Sequence, residues 1–538
     1  MSFSSFALVD MRNGNFAQTW VDLEVPGVGY DLRVVRTYNS RSLHDGIFGF
    51  GWCSDFESKV EVTAEGNLKY SECGSGQEVF YTPREFSAKD IEATVQKIVA
   101  AVKKAKKVSD QELRAFAEDL RRDEDLRTKF ARAYKIANSV REGVTYFANG
   151  REIENLVLAK GVYTRTLSDG SFMRFSLEGR LTHMYDKNGN FIRINYEKNR
   201  IRDVEDNNGR KLSFRFTPGG KVLKITGPNN LSVDYKYSGL DDLASVKNSW
   251  GNTYSYEYDD AHNMVKAVYP DKTFIALTYD KKNDWVMSFT DREKCLESYK
   301  YESNPKNPRM HYWSTVRKTC GKEVTNESRH EFWYAKRNDG ETFLQKVQST
   351  VNGAVTEVVY HPTFGKPVSL RRNQETYVYD YYPNGQVKTK TTRLGTMAYK
   401  YDQRSGKVSE VVSETKNAEG KVIATRKSEF QYDNKGNLTF ARNSDGVQVT
   451  MTYDTRGRIA TITDQAKKVV QIKYEERFGK PSIVTRPGLG TIQVSYKANG
   501  DIDKVNSPEG PTVAMQVAST FNNLLDVIAP ATAEIFSN

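Results

Sequence analysis

Six histidines and four cysteines are the residues of this chain best suited to catalysis or metal binding, and their spacing points to neither. His44, His183, His262, His311, His330 and His361 are dispersed. None stands in the His-Glu-x-x-His pattern that sets two ligands on one helix face, and no Gly-x-Ser-x-Gly nucleophile turn or phosphate-binding glycine loop occurs. Cys53, Cys73, Cys295 and Cys320 include no short Cys-x-x-Cys pair of the kind that holds zinc or cycles redox state. Cys295 and Cys320 flank the turn Asn304-Pro305-Lys306-Asn307-Pro308 almost symmetrically. If residues 296–301 pair with 311–316, the two could form a cross-strand disulfide; two buried thiols are the other reading, and the compartment decides. The sequence therefore nominates no catalytic residue, no metal site and no cofactor.

The acidic residues have a different employment. Aromatic-acidic pairs recur along the chain: Tyr196-Glu197, Phe216, Tyr237, Tyr258-Asp259, Tyr279-Asp280 and Tyr301-Glu302 follow one another at 20 to 22 residues. Tyr379-Asp380 and Tyr401-Asp402 resume the spacing, and Tyr432-Asp433, Tyr453-Asp454, Tyr474-Glu475 and Tyr496 complete it. Between Tyr432 and Tyr453, Leu438 and Phe440, then Val447, Val449 and Met451, alternate with polar residues, the period of half-buried strands. Asp433-Asn434-Lys435-Gly436 and Asp454-Thr455-Arg456-Gly457 separate the strands. An aspartate opening such a turn accepts hydrogen bonds from the backbone just ahead, and glycine at its end tolerates positive φ. Each period thus reads as one hairpin. Because one hairpin is marginal in water, adjacent hairpins are expected to continue one sheet and stack their tyrosines.

Composition narrows the partners. The 79 Lys and Arg against 68 Asp and Glu leave a charge of +11, but the signs are interspersed. Nucleic-acid binding would concentrate the cations on one stripe, so it is not expected. No apolar run approaches the roughly 20 residues that cross a bilayer. Met1 to Asp10 shows no signal peptide.

The repeats, together with Asp22-Leu23-Glu24-Val25-Pro26-Gly27, Arg36-Thr37-Tyr38-Asn39-Ser40 and Gly46-Ile47-Phe48-Gly49-Phe50-Gly51-Trp52, resemble the rearrangement-hotspot, or YD-repeat, family of bacterial toxin shells, toxin-complex cocoon subunits and teneurins. The resemblance spans roughly residues 19–82 and 143–510. It implies an all-β fold, a spiral array of hairpins forming a partial or open shell, and a secreted, periplasmic or cell-surface location. The Asp-Pro-x-Gly-Leu segment and self-cleavage aspartates of toxin-carrying members do not occur; Arg486-Pro487-Gly488-Leu489-Gly490 is only an echo of them.

Two segments break the strand pattern. In 84–142, Ser87-x-x-Asp90 and Ser109-x-x-Glu112 are helix-start signals. Apolar stripes follow them: Ile91, Val95, Ile98, Val99 and Val102, then Leu113, Phe116, Ala117 and Leu120, then Leu126, Phe130 and Ala133. This predicts a helical insertion packed against the shell or serving a partner. After Pro511, Val517, Phe521, Leu524, Leu525 and Ile528 predict a C-terminal helix or cap. The expected organisation is an N-terminal β segment (1–83), the helical insertion (84–142), the array (143–510) and the tail (511–538). The expected function is noncatalytic: a scaffold that binds a protein or a glycan, a shell that encloses an effector cargo made separately, or a polysaccharide-binding adhesin, alone or as an oligomer.

Overall fold

The structure, a computed structural model, describes residues 8–73, 77–148, 150–151, 153–337, 342–497, 500–507 and Met515. The expected C-terminal helix otherwise falls outside these residues. The repeats build one antiparallel sheet of 36 strands, each paired with its neighbours in sequence, from Lys59–Val62 to Ile502–Asn506. The two end strands do not pair with each other among the described residues, so the sheet is open. Its first strand instead meets a later part of the same sheet: Lys59 bridges to Arg180, and the Val60 N–H donates to the Gly179 carbonyl at 2.9 Å.

The sheet winds back on itself, and its turns carry the contact between coils. Lys187 Nζ donates to the Gly436 carbonyl at 3.4 Å, and Asn437 Nδ2 donates to Asn188 Oδ1 at 3.4 Å. Gly457, at φ +78°, faces Asn188 so closely that an added Cβ would lie 2.0 Å from its Cγ. Here glycine serves both the turn and the approach of the neighbouring coil.

Within each repeat the two halves of the aromatic-acidic pair do separate work. In most repeats the tyrosine sits at a bulge that ends its strand, as at Lys236/Tyr237, Glu257/Tyr258 and Thr452/Tyr453, while Tyr301 lies inside strand Leu296–Ser303 with no bulge. The repeat tyrosine's hydroxyl then donates to a carbonyl 15 residues back. Tyr196 reaches Leu181 (2.8 Å), Tyr237 Val222 (2.9 Å), Tyr258 Leu243 (3.0 Å), Tyr279 Met264 (3.0 Å), Tyr301 Val286 (2.8 Å) and Tyr453 Leu438 (2.6 Å). Tyr401 and Tyr432 make the equivalent bond to the start of the preceding strand, 14 and 24 residues back, at Val387 (2.8 Å) and Val408 (2.7 Å). Phe216 occupies the slot without a hydroxyl to donate. The following aspartate closes the turn: one carboxylate oxygen of Asp433 accepts the N–H groups of Lys435 and Asn437, both at 2.8 Å. Asp259 and Asp454 do the same for residues two and four ahead. Asp280 and Asp402 open longer turns and accept from Asn283 (2.6 Å) and Ser405 (2.7 Å).

One pair is misplaced in the sequence reading. In strand Glu375–Tyr381 the bulge and the hydroxyl-to-carbonyl link, to Pro367, belong to Tyr381, and the turn begins at Tyr382. Tyr379 and Asp380 lie two residues too early because this strand carries tyrosine at every second position, and Asn384-Gly385 sets the turn. The boundary at 83 also moves. Strands Lys59–Val62, Leu68–Glu72 and Gln77–Thr82 already belong to the long sheet, and Thr82 pairs directly with Phe147 across the insertion.

The insertion is three helices, α1 (Ala88–Ala105), α2 (Asp110–Arg122) and α3 (Glu124–Ala133). The Ser87 N–H donates to the Asp90 carboxylate (2.8 Å) and the Ser109 N–H to that of Glu112 (2.9 Å), as the start signals require. Val95, Ile98, Val102, Leu113, Ala117 and Leu120 form a small core that includes Ala64 of the first hairpin turn. Thr128 Oγ1 accepts the Ala64 N–H at 2.9 Å, and buried Arg127 pairs with buried Glu65 at 2.6 Å. The bundle therefore rests on one turn at the start of the sheet. Among the described residues no helix is long and apolar enough to cross a membrane.

Burial pushes the phenols of Tyr196, Tyr432 and Tyr453 up to about 12. Because the unfolded chain releases these protons first, near the ordinary phenol value of about 10, their contribution is complete below that pH and is lost as pH rises through the folded values. The urea midpoint is therefore expected to fall between about pH 10 and about pH 12 together with the appearance of phenolate absorbance; phenolate forming with no loss of stability would contradict the role given to these hydroxyls.

Candidate functional surface

Where the tyrosine-bearing face of the sheet is covered, a second sheet does the covering. Strands Leu8–Asp10, Asn15–Val25, Leu32–Asn39 and Trp52–Ser54 form four antiparallel strands. Their side chains merge with those of the array in one core that contains Phe16, Trp20, Val34, Tyr38 and Trp52 beside Val204, Val233, Tyr256, Leu277 and Val286.

The centre of this interface is polar. Arg36, with no exposed side-chain surface, is paired with Asp22, and its Nη2 donates to Asp22 Oδ1 at 2.8 Å. Tyr235 donates its hydroxyl to Asp22 Oδ2 at 2.9 Å, and the Arg36 guanidinium lies 4.5 Å from the Trp52 ring centroid. Burial alone would lower the pKa of this guanidinium, but the Asp22 charge outweighs it and holds the group protonated well above its usual range. Around this pair the two sheets exchange further bonds. Gln18 Nε2 donates to the Tyr269 hydroxyl (2.6 Å), Trp52 Nε1 to the Tyr258 hydroxyl (2.8 Å) and the Met264 N–H to the Tyr38 hydroxyl (2.8 Å). The repeat tyrosine Tyr258 thus serves both sheets at once.

The cover is limited in extent. The covering strands meet the array from Arg210, whose Nη2 donates to the Tyr30 carbonyl (3.1 Å), to Ser314, whose Oγ donates to that of Met11 (2.7 Å), and the loop 26–29 also approaches Asn190 and the late turns at Gly479 and Gly500. Beyond it the same face continues through the pairs Phe332–Val347, Val347–Val358, Val358–Leu370 and Leu370–Tyr377. Val347, Val358, Leu370 and Tyr377 are half-buried only. Later strands keep small separate clusters, such as Tyr399, Val411, Phe430 and Ala441. This face, from about residue 323 onward, carries half-buried apolar side chains on successive strands.

The teneurin YD-shell description matches residues 132–331, 339–477 and 425–536, well over half of the chain. The chain belongs to the teneurin YD-shell family. Residues 7–81, which hold the covering sheet and the first strands, match a separate domain of unknown function, DUF6531. Among curated proteins the chain is similar to Teneurin-m of Drosophila melanogaster, 30% identical over 105 residues, 19% of this chain and 4% of that one. It is also similar to the tRNA3(Ser)-specific nuclease WapA of Bacillus spizizenii, 23% identical over 298 residues, 54% of this chain and 12% of that one. It therefore spans only a small part of the curated relatives it matches. Among solved structures, TcdB2-TccC3-TEV aligns over 92% of this chain and 30% of its own, at 11% identity and a TM-score of 0.38. As a YD-shell protein the chain is a scaffold built of repeats.

The histidines are placed in structural contacts rather than brought together. His262 Nδ1 meets Asp242 at 2.8 Å, His311 bridges Asn304 and Glu331, and His330 meets Ser349 and Ser328. Cys295 and Cys320 stand opposite across strands Leu296–Ser303 and His311–Cys320, with Cα atoms 4.3 Å apart and sulfurs 1.96 Å apart. Two groups escaped the sequence reading. The Arg36–Asp22 dock lay inside the quoted signature, where a buried charge pair has no local pattern; Cys53 and Cys73 meet only through tertiary folding.

Replacing Arg36 by Ala strands the Asp22 carboxylate in the core, which costs about 3–5 kcal/mol for a broken buried pair. Urea unfolding of R36A is expected to show a loss of that size, and R36M/D22N, which removes both charges, a smaller one; a loss under about 1 kcal/mol for R36A would remove the dock from the account.

Proposed function

We propose that this chain is a noncatalytic section of shell wall that holds a polypeptide partner, or an effector cargo made separately, against the uncovered part of its tyrosine-bearing face, outside the cytoplasm. The observation that carries this reading is the contrast along one face. Up to Ser314 it is sealed by a sheet of the chain's own making, and from Phe332 onward Val347, Val358 and Leu370 stay half-buried and lie outside the core formed with that sheet. A run of half-buried apolar side chains rimmed by polar turns fits an interaction surface. The match to the teneurin YD-shell description supports a shell role for this chain. The extracytoplasmic placement is supported by Cys295 and Cys320, which stand at disulfide distance and would stay bridged only where thiols are oxidised. The engagement of the histidines in turns and strand contacts supports a noncatalytic role.

The test is native purification of the full chain from the producing cell, followed by mass spectrometry and limited proteolysis, for wild type and V347D/V358D. The reading expects a second polypeptide that is protected from protease with the wild type and lost, or reduced at least about tenfold, with the variant. A wild-type chain that carries no partner, or a partner retained equally by the variant, would overturn it.

A further inference from the structure

We propose that His44, Cys53, Glu57 and Cys73 form a binding site for a divalent metal of the zinc class. The four come from separate elements where the covering sheet turns into the array. His44 precedes the short strand Asp45–Gly46, Cys53 lies in Trp52–Ser54, Glu57 ends the 3-10 turn Asp55–Glu57, and Cys73 follows strand Leu68–Glu72. Each offers one ligand atom, and all these atoms lie within 4.8 Å of one another, the one such convergence of three or more His, Cys, Asp or Glu residues among the described residues. Four ligands at zinc bond lengths stand roughly 3–4 Å apart, so the set closes around one ion once the Cys53 and Cys73 sulfurs, in direct contact here, are reduced and separate. Two thiolates, an imidazole and a carboxylate are zinc donors, and the soft sulfurs disfavour magnesium and calcium.

Two features beyond the donor set point to a ligand. The Glu57 carboxylate is oriented by the backbone: Oε1 accepts the Ile47 N–H at 2.8 Å and Oε2 the Ser54 N–H at 3.1 Å. That is the outer support a metal-binding carboxylate requires. Residue 46 is also a glycine where a side chain would intrude. A Cβ there would lie 2.5 Å from Glu57 Oε1 and 2.6 Å from His44 Nε2, in the space between the donors. An ion held here would staple the last strand of the covering sheet to the first hairpin of the array. Cys53 and Cys73 are joined as a disulfide in this structure, with Cα atoms 5.3 Å apart, so the metal site belongs to the reduced chain alone. The two states exclude each other, because a disulfide has no thiolate to offer.

The deciding experiment uses the full chain, reduced and then freed of reductant under nitrogen, and titrated with zinc and with cobalt(II). The proposal expects about one metal per chain and a thiolate-to-cobalt charge-transfer band. It also expects C73S to lose that band's intensity and H44Q to bind zinc at least about tenfold more weakly. H44Q keeps both cysteines and changes a surface residue, so it answers even if the cysteine variant fails to fold. A reduced, folded chain that takes up no zinc and shows no cobalt band would overturn the proposal, as would zinc binding unchanged in H44Q and C73S. A purified chain that yields a Cys53–Cys73 cross-linked peptide and gains no zinc site on reduction would assign the pair to a disulfide instead.

Discussion

The hydrogen bond from the repeat tyrosines to a carbonyl at the start of the preceding strand, 15 residues behind in most repeats, is the constraint on which the architecture rests. A bulge ends the strand at the tyrosine, and the hydroxyl reaches back to the start of the preceding strand, so each turn is lashed to the turn before it. Such a bond contributes only about 0.5–1.5 kcal/mol on its own. Its effect comes from repetition. A sheet of 36 strands has no single core, and its register must be reset at every period. Tyrosine suits the task because one side chain packs its ring against the sheet while its polar tip fixes the spacing.

The repeat tyrosine Tyr258 and two tyrosines that stand two positions before repeat tyrosines allow the covering sheet to bind. Tyr235, Tyr256 and Tyr258 turn their rings into the core and direct hydroxyls to Asp22, Arg36 and Trp52. A buried guanidinium next to a carboxylate is costly to desolvate; here Asp22 accepts from Nε and Nη2 and aromatic faces surround the group, while Nη1 is buried without a hydrogen-bond partner among the described residues. Here that cost secures position: a purely apolar contact could slide along the repeats, whereas the Asp22–Arg36–Tyr235 arrangement fits one place in the array. Sealing one stretch of the face leaves the next stretch as the surface available to others, which links the dock to the proposed binding role.

The sequence made most of this legible because the repeat signals are local. The tyrosine register, the Asp-x-x-Gly turns and the serine-acid helix starts each depend on residues a few positions apart, and the all-β open array and the three helices follow from them. What stayed hidden was non-local or degenerate. Tyr377, Tyr379 and Tyr381 alternate along one strand, and only the turn at Asn384-Gly385 tells which one ends it. The pairing of Thr82 with Phe147 spans the whole insertion, so strands 59–82 read as part of the N-terminal segment. The convergence of His44, Cys53, Glu57 and Cys73 has no short spacing to announce it.

If the tyrosine links and the Arg36 dock make the covering sheet and the array one body, hydrogen exchange of the native chain will show it most directly. Amides of strands Asn15–Val25 and Leu32–Asn39 are expected to exchange with the same free energy and the same urea dependence as those of Ser232–Tyr237, Thr253–Tyr258 and Phe274–Tyr279, as one cooperative unit. Exchange of the N-terminal strands at a lower free energy, with the array strands still protected, would contradict the account and make the covering sheet a separable lid.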